Sequence, residues 1–205
     1  KEMGQCFMCN VAKNTKYTID ELLLAKQGID KMLLSSEMIC DIGLHYSHSS
    51  VFANTATIGR DPWSGAIDSW IAIINDLGLN FKFVSYEQLE KEGISKDKYK
   101  VFVLPVSVSL SDKEIDALSK YVETGGVLIA DYGVGIYDSH GKKRNNRRLL
   151  QLFGIEREKD SKISFGGSEV KISGNITEGL TSREVKLRFG ERGIKPTTGK
   201  VYGVT

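Results

Sequence analysis

Cysteine is scarce in this 205-residue chain, and the three present, Cys6, Cys9 and Cys40, are an odd number. A scaffold stapled by disulfides is thereby excluded. Cys6 and Cys9 have the Cys-x-x-Cys spacing of a metal or redox pair, but a structural zinc site takes about four ligands and no second pair follows. The histidines, His45, His48 and His140, lie far along the chain. Two small apolar side chains in a strand are the simpler reading, and neither a metal nor a cofactor is expected. Long apolar runs are lacking too: none approaches the roughly 18 residues of a membrane span. The N-terminal residues show no charged start, apolar middle and small-residue cleavage site. A charge of one sign is also missing, since 28 Lys plus Arg stand against 26 Asp plus Glu. Nucleic acid and membrane are therefore not expected partners, because both favour a broad basic or apolar surface.

What is present is the composition of a folded domain, with 40% hydrophobic and 26% charged residues. That excludes disorder and collagen, and the length suits one domain with an appendage. The small positive net charge comes from Lys142, Lys143, Arg144, Arg147 and Arg148; without them acids outnumber bases. The simple reading of that cluster is a solvated loop, and the alternative is an anionic partner or a subunit contact. The chain starts at Lys1, and Val201 to Thr205 reads as a strand. A piece of a longer polypeptide is expected, either cytoplasmic or exported by a signal outside this sequence.

Three segments are expected. Residues 1–40 hold a short apolar burst near Cys6 and a helix. Its capping box is Thr18-Ile-Asp-Glu21, with Leu22, Ala25, Ile29, Met32 and Leu33 at helical spacing. Residues 41–155 alternate strand and helix. The strands are Ile42–Tyr46, Asn80–Val84, Tyr99–Leu104 and Gly126–Ala130. A loop is expected from Ser47 to Asp61, then a helix whose stripe is Ile67, Trp70, Ile71, Ile74 and Leu77. A short helix from Glu87, one capped by Ser111-Asp-Lys-Glu114, and one over Asn146–Phe153 complete the pattern. Such alternation means a mostly parallel sheet with helices on both faces, a three-layer sandwich. Residues 156–205 turn to short alternating runs, Ile163–Phe165, Glu169–Ile172, Val185–Phe189 and Lys200–Val204, and read as a β-rich tail on the sheet edge.

In an open parallel sheet ligands bind at the carboxyl ends of the strands. Familiar reaction signatures are missing there. Pro105-Val-Ser-Val-Ser109 has no flanking glycines to permit the sharp turn of a nucleophile elbow, and no cysteine lies beyond Cys40. The phosphate-binding Lys-Ser/Thr loop is absent, and Gly133-Val-Gly135 follows the fourth strand with Asp138 where a third dinucleotide glycine belongs. His45 reads as packed inside its strand. His48 and Asp131, just past strand ends, are candidate contacts or simple turn formers, and Trp63 and Tyr137 are loop aromatics that could stack on a sugar.

Three segments carry a resemblance: Tyr99-Lys-Val-Phe-Val-Leu-Pro-Val106, Leu110-Ser-Asp-Lys-Glu114 and Tyr121-Val-Glu-Thr-Gly-Gly-Val-Leu-Ile129. Together with Gly135-Ile-Tyr-Asp-Ser-His-Gly141 and Leu149-Leu-Gln-Leu-Phe-Gly-Ile155, they resemble the trimerisation domain of family 42 β-galactosidases. The resemblance covers roughly residues 18–155. It implies a flavodoxin-like, class I glutamine-amidotransferase-like fold that has lost its cysteine nucleophile. It also implies a homo-oligomer, a trimer by this likeness, with catalytic glutamates in a preceding barrel and carbohydrate met through that parent. The chain departs from the family after the first strand, where Ser47-His-Ser-Ser-Val-Phe52 replaces a Trp-containing acidic stretch.

The first expectation is therefore a non-catalytic assembly domain of a larger glycoside hydrolase, with no catalytic residue of its own. The first helix and residues 142–148 are its candidate contacts. The second is a sugar-binding module using His48, Arg60, Ser107, Asp131 and Tyr132. The third is a self-sufficient hydrolase built on His48 and Asp131.

Overall fold

The computed structural model describes residues 35–36, 39–58, 62–144, 146–172 and 184–204. The chain divides into two compact units, Lys1–Ile39 and Cys40–Thr205. The helix expected after Thr18 and the Cys6/Cys9 pair lie outside the described residues.

The second unit is built on four parallel strands in the order β2-β1-β3-β4. These are β1 (Ile42–Tyr46), β2 (Phe81–Ser85), β3 (Val101–Leu104) and β4 (Val127–Ala130). The two central strands are the most apolar and the most enclosed. Leu44, Phe102 and Leu104 are fully buried and Val103 nearly so, as a strand covered on both faces must be. Gly43 is required by packing: a Cβ there would come within 2.6 Å of the Phe102 ring.

Alternate side chains feed two cores. One contains Ile42, Leu44 and Val103 under α2 (Pro62–Asp76), which contributes Ile74 with Trp70 and Ile71 packed beside it. The other gathers Val84, Phe102 and Leu104 with Leu89 of α3 (Tyr86–Glu92) and Ile115, Leu118 and Tyr121 of α4 (Asp112–Glu123). The expected stripe of α2 ends early. Leu77 is 66% exposed, because it follows the helix at the turn that Gly78 makes with φ 68°. The edge strands are also more open than their composition suggests. Val127 is 53% exposed and Phe83 42%, since α2 shields only the middle of its face.

Capping follows the sequence pattern. Ser111 accepts from the Glu114 amide while the Glu114 carboxylate accepts from the Ser111 amide, at 3.1 and 2.6 Å. Ser85 and Gln88 do the same for α3, and Asn146 caps α5 (Arg147–Leu152).

Two departures stand out. The expected loop after β1 is instead a helix, α1 (His48–Ile58). Its inward side is polar: Ser47, Ser50 and Asn54 are buried, so a search for apolar periodicity misses it. The tail is longer-stranded than the short runs suggest. β5 (Ile155–Ile172) and β6 (Glu184–Pro196) form an antiparallel hairpin with register shifts after Arg157 and Phe165. The bulges interrupt the alternation on which the sequence reading relied. β7 (Gly203–Val204) adds to β5. The hairpin is tied to the loop after β4. Arg157 donates to Val134 O at 3.0 Å and to Glu191, whose second oxygen accepts from Gly133 N at 2.8 Å.

Candidate functional site

Pro105 ends β3, since it has no N–H for the ladder, and the chain turns at once through Val106. Val106 has φ 43° and is the one non-glycine residue with positive φ among the described residues. For a β-branched side chain that conformation is strained by roughly 1–2 kcal/mol. Surrounding bonds hold it. The Val106 amide donates to Asp131 Oδ2 at 3.3 Å, and the Asn54 side chain donates to Val106 O at 3.2 Å. So the sharp turn forms without the flanking glycines that the sequence lacks.

Ser107, the next residue, is 2% exposed. Its Oγ lies 2.8 Å from His45 Nδ1, and His45 Nε2 lies 2.9 Å from Glu114 Oε1. With Glu114 ionised, one neutral tautomer satisfies both partners: Nε2–H donates to the carboxylate and Nδ1 accepts from the serine hydroxyl. The order Ser-His-acid is that of an acyl-transfer triad, but the chemistry does not follow. All three side chains are sealed from solvent. The strained position carries the isopropyl group of Val106 and not a hydroxyl or thiol. The strained residue's own N–H donates to the Asp131 carboxylate. α4 starts only at Asp112, so no helix N-terminus stands behind the turn. The arrangement is a polar clasp joining β1, the turn and α4.

Asp131 is held by the Trp70 indole N–H at 3.1 Å as well as by Val106. Burial pushes its carboxyl above the ordinary range, while those two bonds pull it back. Tyr132 beside it is pushed up to about 12 by burial and then by the Asp131 charge. Ser107 and Asp131 thus meet at one turn. His48 stands apart at the start of α1, its ring centroid 5.1 Å from Tyr46 and 6.1 Å from Tyr86. It lines a groove of about 490 Å³ with Phe52, Tyr86, Glu90, Glu114 and His140. Among the described residues no hydrogen bond joins His48 to Asp131, and Arg60 lies outside them, as does the Trp63 side chain. No cluster of three or more His, Cys, Asp or Glu among the described residues could hold a metal ion. No helix among them is long and apolar enough to cross a membrane.

The basic cluster is partly tied down. Arg144 donates to Asp112 at 2.6 Å and to Leu110 O at 2.5 Å, and Arg148 pairs with Asp116. Sequence reasoning found Glu114 as a capping residue but missed its second partner, His45. It also missed Trp70 as a donor to Asp131 and the buried polar face of α1.

Comparison with known proteins decides the family. The model of the beta-galactosidase trimerisation domain matches residues 44–197, three-quarters of the chain. The chain belongs to this family. The match runs from within β1 to the end of the hairpin, so the turn, the groove and the Arg157–Glu191 clasp all lie inside the trimerisation domain. Among solved structures, a catalytic mutant of Gan42B, a GH42 beta-galactosidase from G. stearothermophilus, is 18% identical with a TM-score of 0.72, covering 91% of this chain and 27% of that one. A beta-galactosidase from Bacillus circulans sp. alkalophilus is 15% identical with a TM-score of 0.73, covering 93% of this chain and 28% of that one. The exo-beta-1,4-mannosidase Op5Man5 from Opitutaceae bacterium strain TAV5 is 14% identical with a TM-score of 0.57, covering 91% of this chain and 30% of that one. These likenesses show a shared fold, and this chain spans under a third of the length of each of these proteins. No curated protein matches the chain.

Proposed function

We propose that this chain is the non-catalytic assembly domain of a longer glycoside hydrolase of β-galactosidase type, and that it assembles as a trimer. The observation that carries the reading is the turn after β3. It keeps the strained backbone of a nucleophile elbow, yet Val106 occupies the strained position and Asp131 occupies its amide. A surface that works by contact needs no accessible nucleophile, and the family to which the chain belongs is described by its trimerisation. A closed ring of three would use heterologous contacts, one patch against a different one. Carbohydrate, in this reading, is met by the parent's catalytic domain and not by the turn. Sedimentation equilibrium on the full-length polypeptide is the test, with a parallel run on this chain. The expected mass for this chain is three times 22.7 kDa. A full-length protein that stays monomeric at micromolar concentration overturns the proposal, as does glycoside or ester hydrolysis by this chain that disappears in Ser107→Ala.

A further inference from the structure

The groove beside α1 is lined by both aromatic and acidic side chains. Four rings line it: Phe52, His48, Tyr86 and His140. Phe52 is 70% exposed, and its ring centroid lies 6.4 Å from that of His48, which in turn lies 6.1 Å from that of Tyr86. Two carboxylates share the wall. Glu90 Oε1 accepts from Ser111 Oγ at 2.5 Å, and its other oxygen takes no bond among the described residues. Glu114 backs the groove from α4 but is 1% exposed, with its oxygens bonded to His45 and Ser111. The remaining lining is Ser49, Ala53, Ala56, Ser139 and Gly141, with no Lys or Arg. Lys142 and Lys143 follow Gly141 on the exposed loop. The phenol of Tyr86 is held above its ordinary value first by its hydrogen bond to Glu87 and that residue's charge, then by desolvation, and last by the charges of Glu90 and Glu114.

Aromatic faces beside carboxylates, with no competing side-chain cation, form a receptor for positive charge. An anion would meet the Glu90 carboxylate with no Lys or Arg in the lining to offset it. A neutral polyol would stack on the rings but gain nothing from that charge. We propose that this groove binds an organic cation, an ammonium or guanidinium group, against Phe52, His48 and Tyr86 and facing Glu90. The proposal stands independently of the oligomeric state.

Choline and L-arginine amide, titrated separately into the chain by calorimetry and by NMR of the His48 and Tyr86 resonances, read the ammonium and the guanidinium arm. Saturable binding of at least one is expected, weakening as salt rises. Dimethylbutanol, the uncharged carbon isostere of choline, should bind about tenfold more weakly or not at all. Phe52→Ala and Glu90→Gln should each weaken the cation about fivefold. Phe52 is exposed and Gln retains an oxygen for Ser111, so unchanged thermal unfolding will show that both variants fold. The proposal is overturned if neither cation saturates, or if the isostere or galactose binds as tightly as the better cation. It also fails if the two folded variants bind that cation as the parent chain does.

Discussion

Two buried acid–base pairs lie at opposite sides of the strand-end region, and they work differently. Beneath the turn, Glu114 meets the imidazole of His45, with both side chains almost wholly buried. At the hairpin, Glu191 meets the guanidinium of Arg157, equally enclosed. Each carboxylate is bonded through both oxygens, to Ser111 N in the first case and to Gly133 N in the second. The difference is the base. An imidazole can give up its charge and remain a donor on one nitrogen, whereas a guanidinium cannot shed its proton in a protein. Losing the acid therefore strands a permanent charge at the hairpin but only an unmatched dipole under the turn. The turn clasp holds one core together, while the hairpin clasp decides whether an appendage stays docked.

The largest expected effect tests this contrast directly. Glu191→Ala leaves Arg157 buried and unpaired, and should cost about 3–5 kcal/mol in urea unfolding. Amide protection should vanish first in β6. Next, Glu114→Ala leaves His45 Nε2 and the Ser111 amide without their acceptor, and should cost about 2–3 kcal/mol. If it costs more than Glu191→Ala, the distinction between a neutralisable and a permanent charge is wrong for this protein. A smaller effect sharpens the turn itself. Val106→Gly and Val106→Ala both lose a buried side chain, but only Gly relieves φ 43°. The Gly variant should be the more stable by about 1 kcal/mol, the reverse of the usual order inside regular structure.

The smallest effect concerns Asp131, the acid that has no base. Its carboxyl titrates above the ordinary 3.8 when folded, so the folded state binds the proton more tightly than the unfolded one. Stability should therefore fall as pH rises from 3.8 through the raised value, then level off. Asp131→Asn keeps an oxygen for Trp70 and Val106 and should abolish that fall. A variant whose stability still declines across the same window would assign the titration to another group.

Much of the scaffold was legible because its signals are local. The β3 run Val101–Leu104 is apolar throughout and became a buried central strand. Ser111 and Glu114 form the capping box that their spacing announces. The failures share a cause. α1 buries Ser50 and Asn54, which bond the segment after β3, and polar residues acquire that inward role only once the partner backbone is in place. Ser107 and Asp131 are legible as strand-end residues, but nothing near them in the chain shows that one is sealed against His45 and the other against Trp70. Val106 reads as one more apolar residue, although its backbone conformation is the most informative feature of the crest.

The four parallel strands, the Ser111–Glu114 cap and the lack of a cysteine beyond Cys40 follow from the amino acids alone, since each depends on neighbours a few positions away. The meeting of His45 with Ser107 and Glu114, 62 and 69 residues distant, does not. Nor does the grip of Glu191 on Gly133 or the grouping of rings and carboxylates beside α1. Parallel strands bring such residues together only after long crossovers have closed, and then burial decides which of them bond each other and which face solvent.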